Sequence, residues 1–129
     1  MSRFVKPETV RYDLKPDAAG RVDWIEIKKR LNQGERNQLQ TAGMRGLQNK
    51  GSAGQEFAID WKAYSFARTV TYLVRWSLVD DDDNQTKPNA QTIEALDPDT
   101  FDEIENLITA HLEAEAEARG KNGSASATA

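Results

Sequence analysis

His111 is the single histidine of this 129-residue chain, so any Ser-His-Asp relay would have to be built on it. Ser65 and Ser77 are the imaginable nucleophiles, but neither stands in a nucleophile-elbow context such as G-x-S-x-G. By pattern His111 lies beside Ile104 and Ile108, at the edge of an apolar helical stripe, which fits a packing or partly exposed residue. The carboxylates Asp102, Glu103, Glu105, Glu113, Glu115 and Glu117 could mimic a general acid–base pair, but their spacing places them on the solvent side of that helix. Asp80-Asp81-Asp82-Asp83 suggests calcium, yet no register of this run supplies the Gly at the sixth and Glu at the twelfth position of an EF-hand loop. It reads as a solvated acidic turn. The glycines at 43, 46, 51 and 54 precede no G-K-[ST] and form no phosphate loop. We therefore expect no enzyme, with no catalytic, metal or cofactor-binding residue.

Composition points the same way. Seventeen basic against 21 acidic residues leave a net charge of −4 and no evident basic stripe, so no direct nucleic-acid binding is expected. The chain has no cysteine, which removes disulfides and thiolate metal sites. No apolar signal core follows Met1, and no stretch approaches the roughly 20 apolar residues that cross a bilayer. The expectation is a soluble cytoplasmic protein with no membrane partner. The length suits one domain with one modest core. We expect a flexible N-terminus over residues 1–9, a single globular domain over 10–119 and a disordered tail over 120–129.

The elements follow from periodicity. Val10, Tyr12 and Leu14 alternate with polar residues, as in a strand. Lys15-Pro16-Asp17-Ala18-Ala19-Gly20 carries turn chemistry, and Val22 to Ile27 is rich in β-branched and aromatic residues, so the two runs form a β-hairpin. Asn32 and Glu35 fit a capping box that opens a helix over about 33–48. Its apolar face is thin: Leu39, Ala42, Met44 and Leu47, with Gly43 and Gly46 each costing about 1 kcal/mol. Asn49 to Gly54 reads as a loop. Asn89 caps a short helix holding Ile93 and Leu96. Asp97 caps the last helix, with Pro98 at its first position, and Phe101, Ile104, Leu107, Ile108 and Leu112 form its apolar stripe. Gly120 is expected to end that helix. The fold class is α+β, mainly α: an N-terminal β-hairpin packed on a small bundle of about four helices.

The central segment is the most informative. Asp60 is expected to cap a helix over roughly 61–79. At 100° per residue Phe66, Ala67, Val70, Leu73, Val74 and Leu78 share one stripe, and Trp61, Tyr72, Trp76 and Val79 share the opposite side. A helix with two apolar faces must be buried on two sides: either it is the central helix of a small core, or one side meets another protein. Trp61, Tyr72, Trp76 and Val79 are therefore candidate partner-binding residues, with core packing the competing role for the tryptophans. Trp24 on the second strand is expected in the core.

Four pieces in order carry a resemblance: Trp24 to Leu31, then Gly34-Glu35-Arg36, then Trp76-Ser77-Leu78, and finally Leu96-Asp97-Pro98-Asp99-Thr100-Phe101 after an acidic loop. Across residues 20–115 this order resembles the tail assembly chaperones of long-tailed phages. The resemblance implies a non-enzymatic role: binding the tape measure protein, keeping it soluble and helping to recruit tail tube protein. It implies self-association, residence in the host cell cytoplasm and absence from the mature virion. It also implies a longer product made by programmed frameshifting, for which the codons of Gly120 and Lys121 are the candidate site. The alternatives are a structural virion protein of the tail or head–tail connector, a small host adaptor domain, and a hydrolase built on Ser77 and His111.

Overall fold

The computed structural model describes residues 3–49 and 61–128, with only the backbone described for 44–49 and 121–128. The chain folds in the order β1 (Thr9–Asp13), β2 (Trp24–Lys28), α1 (Gln33–Asn49), α2 (Trp61–Tyr72), β3 (Leu73–Trp76), α3 (Ala90–Glu94) and α4 (Pro98–Thr128). The architecture is α+β, mainly α. The expected hairpin is present, with Thr9 opposite Lys28 and Asp13 opposite Trp24. Its turn is held by Asp17, whose carboxylate accepts the N–H groups of Ala19 and Arg21, and Gly20 supplies a φ of 82° that a side chain would strain.

The local signals for helix starts are realised. The Glu35 N–H donates to Asn32 Oδ1 at 2.9 Å, and the Asn32 N–H returns to Glu35 Oε1 at 3.1 Å. Asn89 and Thr92 exchange the same pair of bonds at the head of α3. The Asp97 carboxylate accepts from Asp99 and Thr100 at the head of α4, where Pro98 lacks an N–H to strand. The α4 backbone, however, stays helical through Gly120, so the helix end expected there is not observed. A single glycine costs about 1 kcal/mol in a helix interior, and the alanines and glutamates before it favour the helical state. The loop expected from Asn49 to Gly54, and the Asp60 cap, fall on residues outside those described, apart from Asn49 itself, the last residue of α1.

The expected helix over 61–79 forms only as far as Tyr72. The helix ends at Tyr72 and the chain passes directly into β3, which lies antiparallel to β2 and makes β2 the central strand of three. The run Thr69-Val70-Thr71 prepares this change. β-Branched residues lose χ1 freedom in a helix, and the hydroxyls of Thr69 and Thr71 bond back to the carbonyls of Ser65 and Ala67. Leu73 to Trp76 then bonds to an edge offered from 50 residues away. The register explains why these residues imitate a helix. Ile25 pairs with Trp76, Glu26 with Arg75, and Ile27 with Leu73, which leaves Val74 as the extra residue of a bulge. The bulge shifts the alternation by one, so Leu73 and Trp76, three residues apart, are both buried. Three is a helical spacing, and in this strand a bulge produces it.

One face of the sheet carries Ile25 and Ile27, both fully buried against Tyr72, Leu73, Trp76, Ile93, Ile104 and Ile108. Burying a side chain of this size stabilises the fold by about 1.5–3 kcal/mol each. The opposite face carries half-buried Trp24, Glu26 and Lys28. Trp24 is therefore not in the core. The Arg11 guanidinium lies 4.2 Å from the centroid of its ring, a cation–π contact on the solvated side. Among the α4 carboxylates, Asp102, Glu113 and Glu117 are exposed as expected, but Glu103 and Glu105 are not free on the solvent side. Glu103 accepts the Lys15 N–H at 2.7 Å, and Glu105 meets Ser65 Oγ at 2.5 Å and Arg68 at 3.5 Å, bonds that join α4 to the hairpin turn and to α2.

Candidate interaction site

His111, Ser65 and Ser77 each make hydrogen bonds within the fold. His111 is 5% exposed. Its Nε2 lies 2.9 Å from the Lys29 carbonyl and its Nδ1 2.8 Å from the Tyr12 hydroxyl. A carbonyl can only accept, so Nε2 carries a proton, and in the neutral ring Nδ1 accepts from the Tyr12 O–H. Ser77 Oγ donates to Asp23 at 2.9 Å and accepts the Trp24 N–H, while Ser65 Oγ meets Glu105. Neither serine has the imidazole as its partner, so the relay imagined from sequence is not assembled. The acidic run forms a tight turn: Val79 bridges to Gln85, the Asp80 N–H donates to the Asn84 carbonyl, and the Asp80 carboxylate accepts from Asp82 and Asn84. Asp83 takes a φ of 61° there, a conformation aspartate tolerates. Among the described residues no cluster of potential ligands is arranged to hold a metal ion.

The four candidate partner-binding residues do not share a face. Tyr72 and Trp76 are 6% and 2% exposed and belong to the core, with the Trp76 indole N–H donating to Thr86 Oγ1 at 2.9 Å. Burial pushes the Tyr72 phenol above its usual range, with Tyr64 adding to the shift. Val79 is half-buried in its bridge to Gln85. Trp61 is different: it is 68% exposed on the first turn of α2, edge-on to Tyr64 with ring centroids 5.9 Å apart. The expected aromatic face thus reduces to Trp61, with Tyr64, which the periodicity did not single out, beside it.

Tyr64 also lines a cleft of about 550 Å³ between the end of β2, the first turns of α1, and α4. Arg3, Lys29, Arg30, Arg36 and Arg119 converge on it, against one carboxylate, Glu115. Lys29 also meets Glu8 at 3.5 Å. Among the described residues Arg30 and Arg36 form no ion pair. These cations come from four places between positions 3 and 119, and beyond the short run that holds Lys29 and Arg30 nothing in the sequence announces them. In a chain of net charge −4 they make a locally basic surface. No helix among the described residues is long and apolar enough to cross a membrane. No family model, no curated protein and no solved structure matches the chain.

Proposed function

We propose that this protein is a phage tail assembly chaperone that acts on the tape measure protein in the host cytoplasm and leaves before the virion is complete. The observation that carries the reading is Trp61, a large aromatic held in solvent at the head of α2 and braced by Tyr64. Tryptophan and tyrosine are the commonest anchors of protein interfaces, because they bury much area at small entropic cost. The order of motifs from Trp24 to Phe101 supports the same reading. Many copies would cover one tape measure chain, each placing Trp61 against an apolar stripe of its helices, and tail tube protein would join the complex. The codons of Gly120 and Lys121 are the proposed frameshift site; α4 would then lead into the extension of the longer product.

Co-expression with the tape measure protein, followed by affinity capture and size exclusion, tests this reading. A soluble complex that Trp61→Ala weakens, while the free variant stays folded, supports it. An insoluble tape measure protein with no co-purification would sink it. Mass spectrometry of purified virions separates the chaperone from a structural tail or connector protein, since a chaperone is absent from the particle.

A further inference from the structure

The cleft beside Tyr64 concentrates a charge that the chain as a whole does not carry. Arg3, Lys29, Arg30, Arg36 and Arg119 line it against Glu115 alone, an excess of four positive charges around about 550 Å³ in a chain of net charge −4. Contacts within the fold neutralise little of this. Lys29 meets Glu8 at 3.5 Å, but both side chains are about half exposed, so the pair is weak. Arg36 donates to the Gln33 amide oxygen at 2.5 Å, an acceptor without charge. Arg30 and Arg36 form no ion pair among the described residues. Like charges held around one concavity repel each other, and the concave wall focuses their field on an entering anion. The remaining lining is of another kind. It includes Leu31, Leu39, Leu112, Tyr64 and Tyr72, of which Leu39 and Tyr72 are buried.

We propose that this cleft binds a nucleotide of the nucleoside polyphosphate class, with the phosphates among Arg30, Arg36 and Arg119 and the base against Tyr64. Four of the five cations are arginine, whose planar fork matches the oxygens of carboxylate and phosphate. A carboxylate brings one charge, whereas a terminal phosphate carries about −1.5 to −2 at pH 7. Linked phosphates are therefore the anion dense enough to balance this excess within so small a space. The volume falls in the range of small-molecule sites, about 300–1,000 Å³. The leucines and tyrosines suit a flat ring beside the phosphates, and any base can stack on a tyrosine face. A nucleic-acid strand offers the same chemistry but must continue past the cleft. The α4 turns that carry Leu112, Glu115 and Arg119 also expose Glu113 and Glu117, which repel a continuing phosphate backbone. The chain has no glycine-rich phosphate loop, so side chains and not backbone amides hold the phosphates here. The site stands on its own lining and not on the tape measure reading, and its test uses this chain with small molecules alone.

Isothermal titration calorimetry of the full chain with ATP, at low salt and without added divalent metal, is the test. One-to-one binding is expected. Arg30→Ala/Arg36→Ala changes two exposed residues and should weaken it by about tenfold or more. Lys62→Ala/Lys87→Ala removes the same charge outside the cleft lining and should bind like the wild type, which separates a site from general attraction. Tyr64→Ala should weaken binding by about tenfold. Circular dichroism checks that each variant remains folded. Inorganic tripolyphosphate has the charge without the ring and should bind about tenfold more weakly than ATP, a comparison that reads the ring's part without any variant. Adenosine, the ring without the charge, should not bind. A wild type that takes up no ATP at millimolar concentration in low salt would overturn the proposal. So would an Arg30/Arg36 double variant that binds like the wild type, or tripolyphosphate that binds as tightly as ATP. The same holds for an acidic peptide or a single-stranded oligonucleotide that occupies the cleft while ATP does not.

Discussion

The Tyr12 hydroxyl lies 2.8 Å from His111 Nδ1, joining the first strand to the last helix across 99 positions of sequence. The other ring nitrogen holds the carbonyl of Lys29, at the exit from β2. One imidazole thus ties the edge strand, the central strand and α4 together, and the rings of Tyr12 and His111 meet edge to face at 5.8 Å. His111→Ala removes both bonds together with the packing of a ring that is 5% exposed, which costs about 1–3 kcal/mol. Urea unfolding should show that loss, with Tyr12→Phe costing less. On the proposed chaperone reading, capture of the tape measure protein by the folded fraction should be unchanged, since both ring nitrogens of His111 bond within the fold.

Trp61 and Trp76 should behave oppositely. Trp76→Ala empties a core site and costs about 3–5 kcal/mol, enough to unfold much of a domain this size. Trp61→Ala should leave stability within about 0.5 kcal/mol, as surface substitutions do. Thermal unfolding monitored by circular dichroism separates the two, and only Trp61→Ala then remains informative about partner binding.

Glu26 on the outer face of the sheet accepts from Arg75 Nε at 2.6 Å and from Thr9 Oγ1 at 2.7 Å. The Arg75 guanidinium, then the Thr9 hydroxyl, hold its carboxyl below the usual carboxylate range. Glu35, bonded to Lys28 and to the Asn32 N–H, is lowered in the same direction. A folded pKa below the unfolded one means that the stabilisation is complete above the unfolded value, near 4.3, and is lost as pH falls through the folded value. Glu26→Gln should therefore lower stability at pH 7 by less than about 1 kcal/mol, as expected for an ion pair at the surface. At pH 2 the variant and the wild type should converge. Urea midpoints of both proteins across that range measure the difference.

Asn32→Ala removes the oxygen that caps α1 and should cost about 1 kcal/mol. Asn32→Asp should retain most of it. Because α1 carries only Leu39 and Gly43 as buried residues among those described on it, its amides should lose hydrogen-exchange protection before those of β2.

The hairpin, the three helix caps and the α4 stripe were legible along the chain because each is a local agreement. A turn residue, a side-chain oxygen two or three residues from a free N–H, or an apolar repeat carries its meaning within one or two turns of chain. The α+β class followed from these. The resemblance to the phage chaperones likewise lives in short ordered motifs. The strand β3 was not legible, since Leu73 and Trp76 stand three apart and match a helical period as well as a bulged strand. What selected the strand was the open edge of β2, a partner 50 residues away, and a bulge at Val74 that no local preference requires. The same non-local pairing moved Tyr72 and Trp76 from an imagined interface into the core and left Trp61 outside. The basic cleft is the furthest removed from the sequence. Its cations come from four separate places in a chain of net negative charge, and only the antiparallel register of the sheet, with α4 laid along it, gathers them at one cleft.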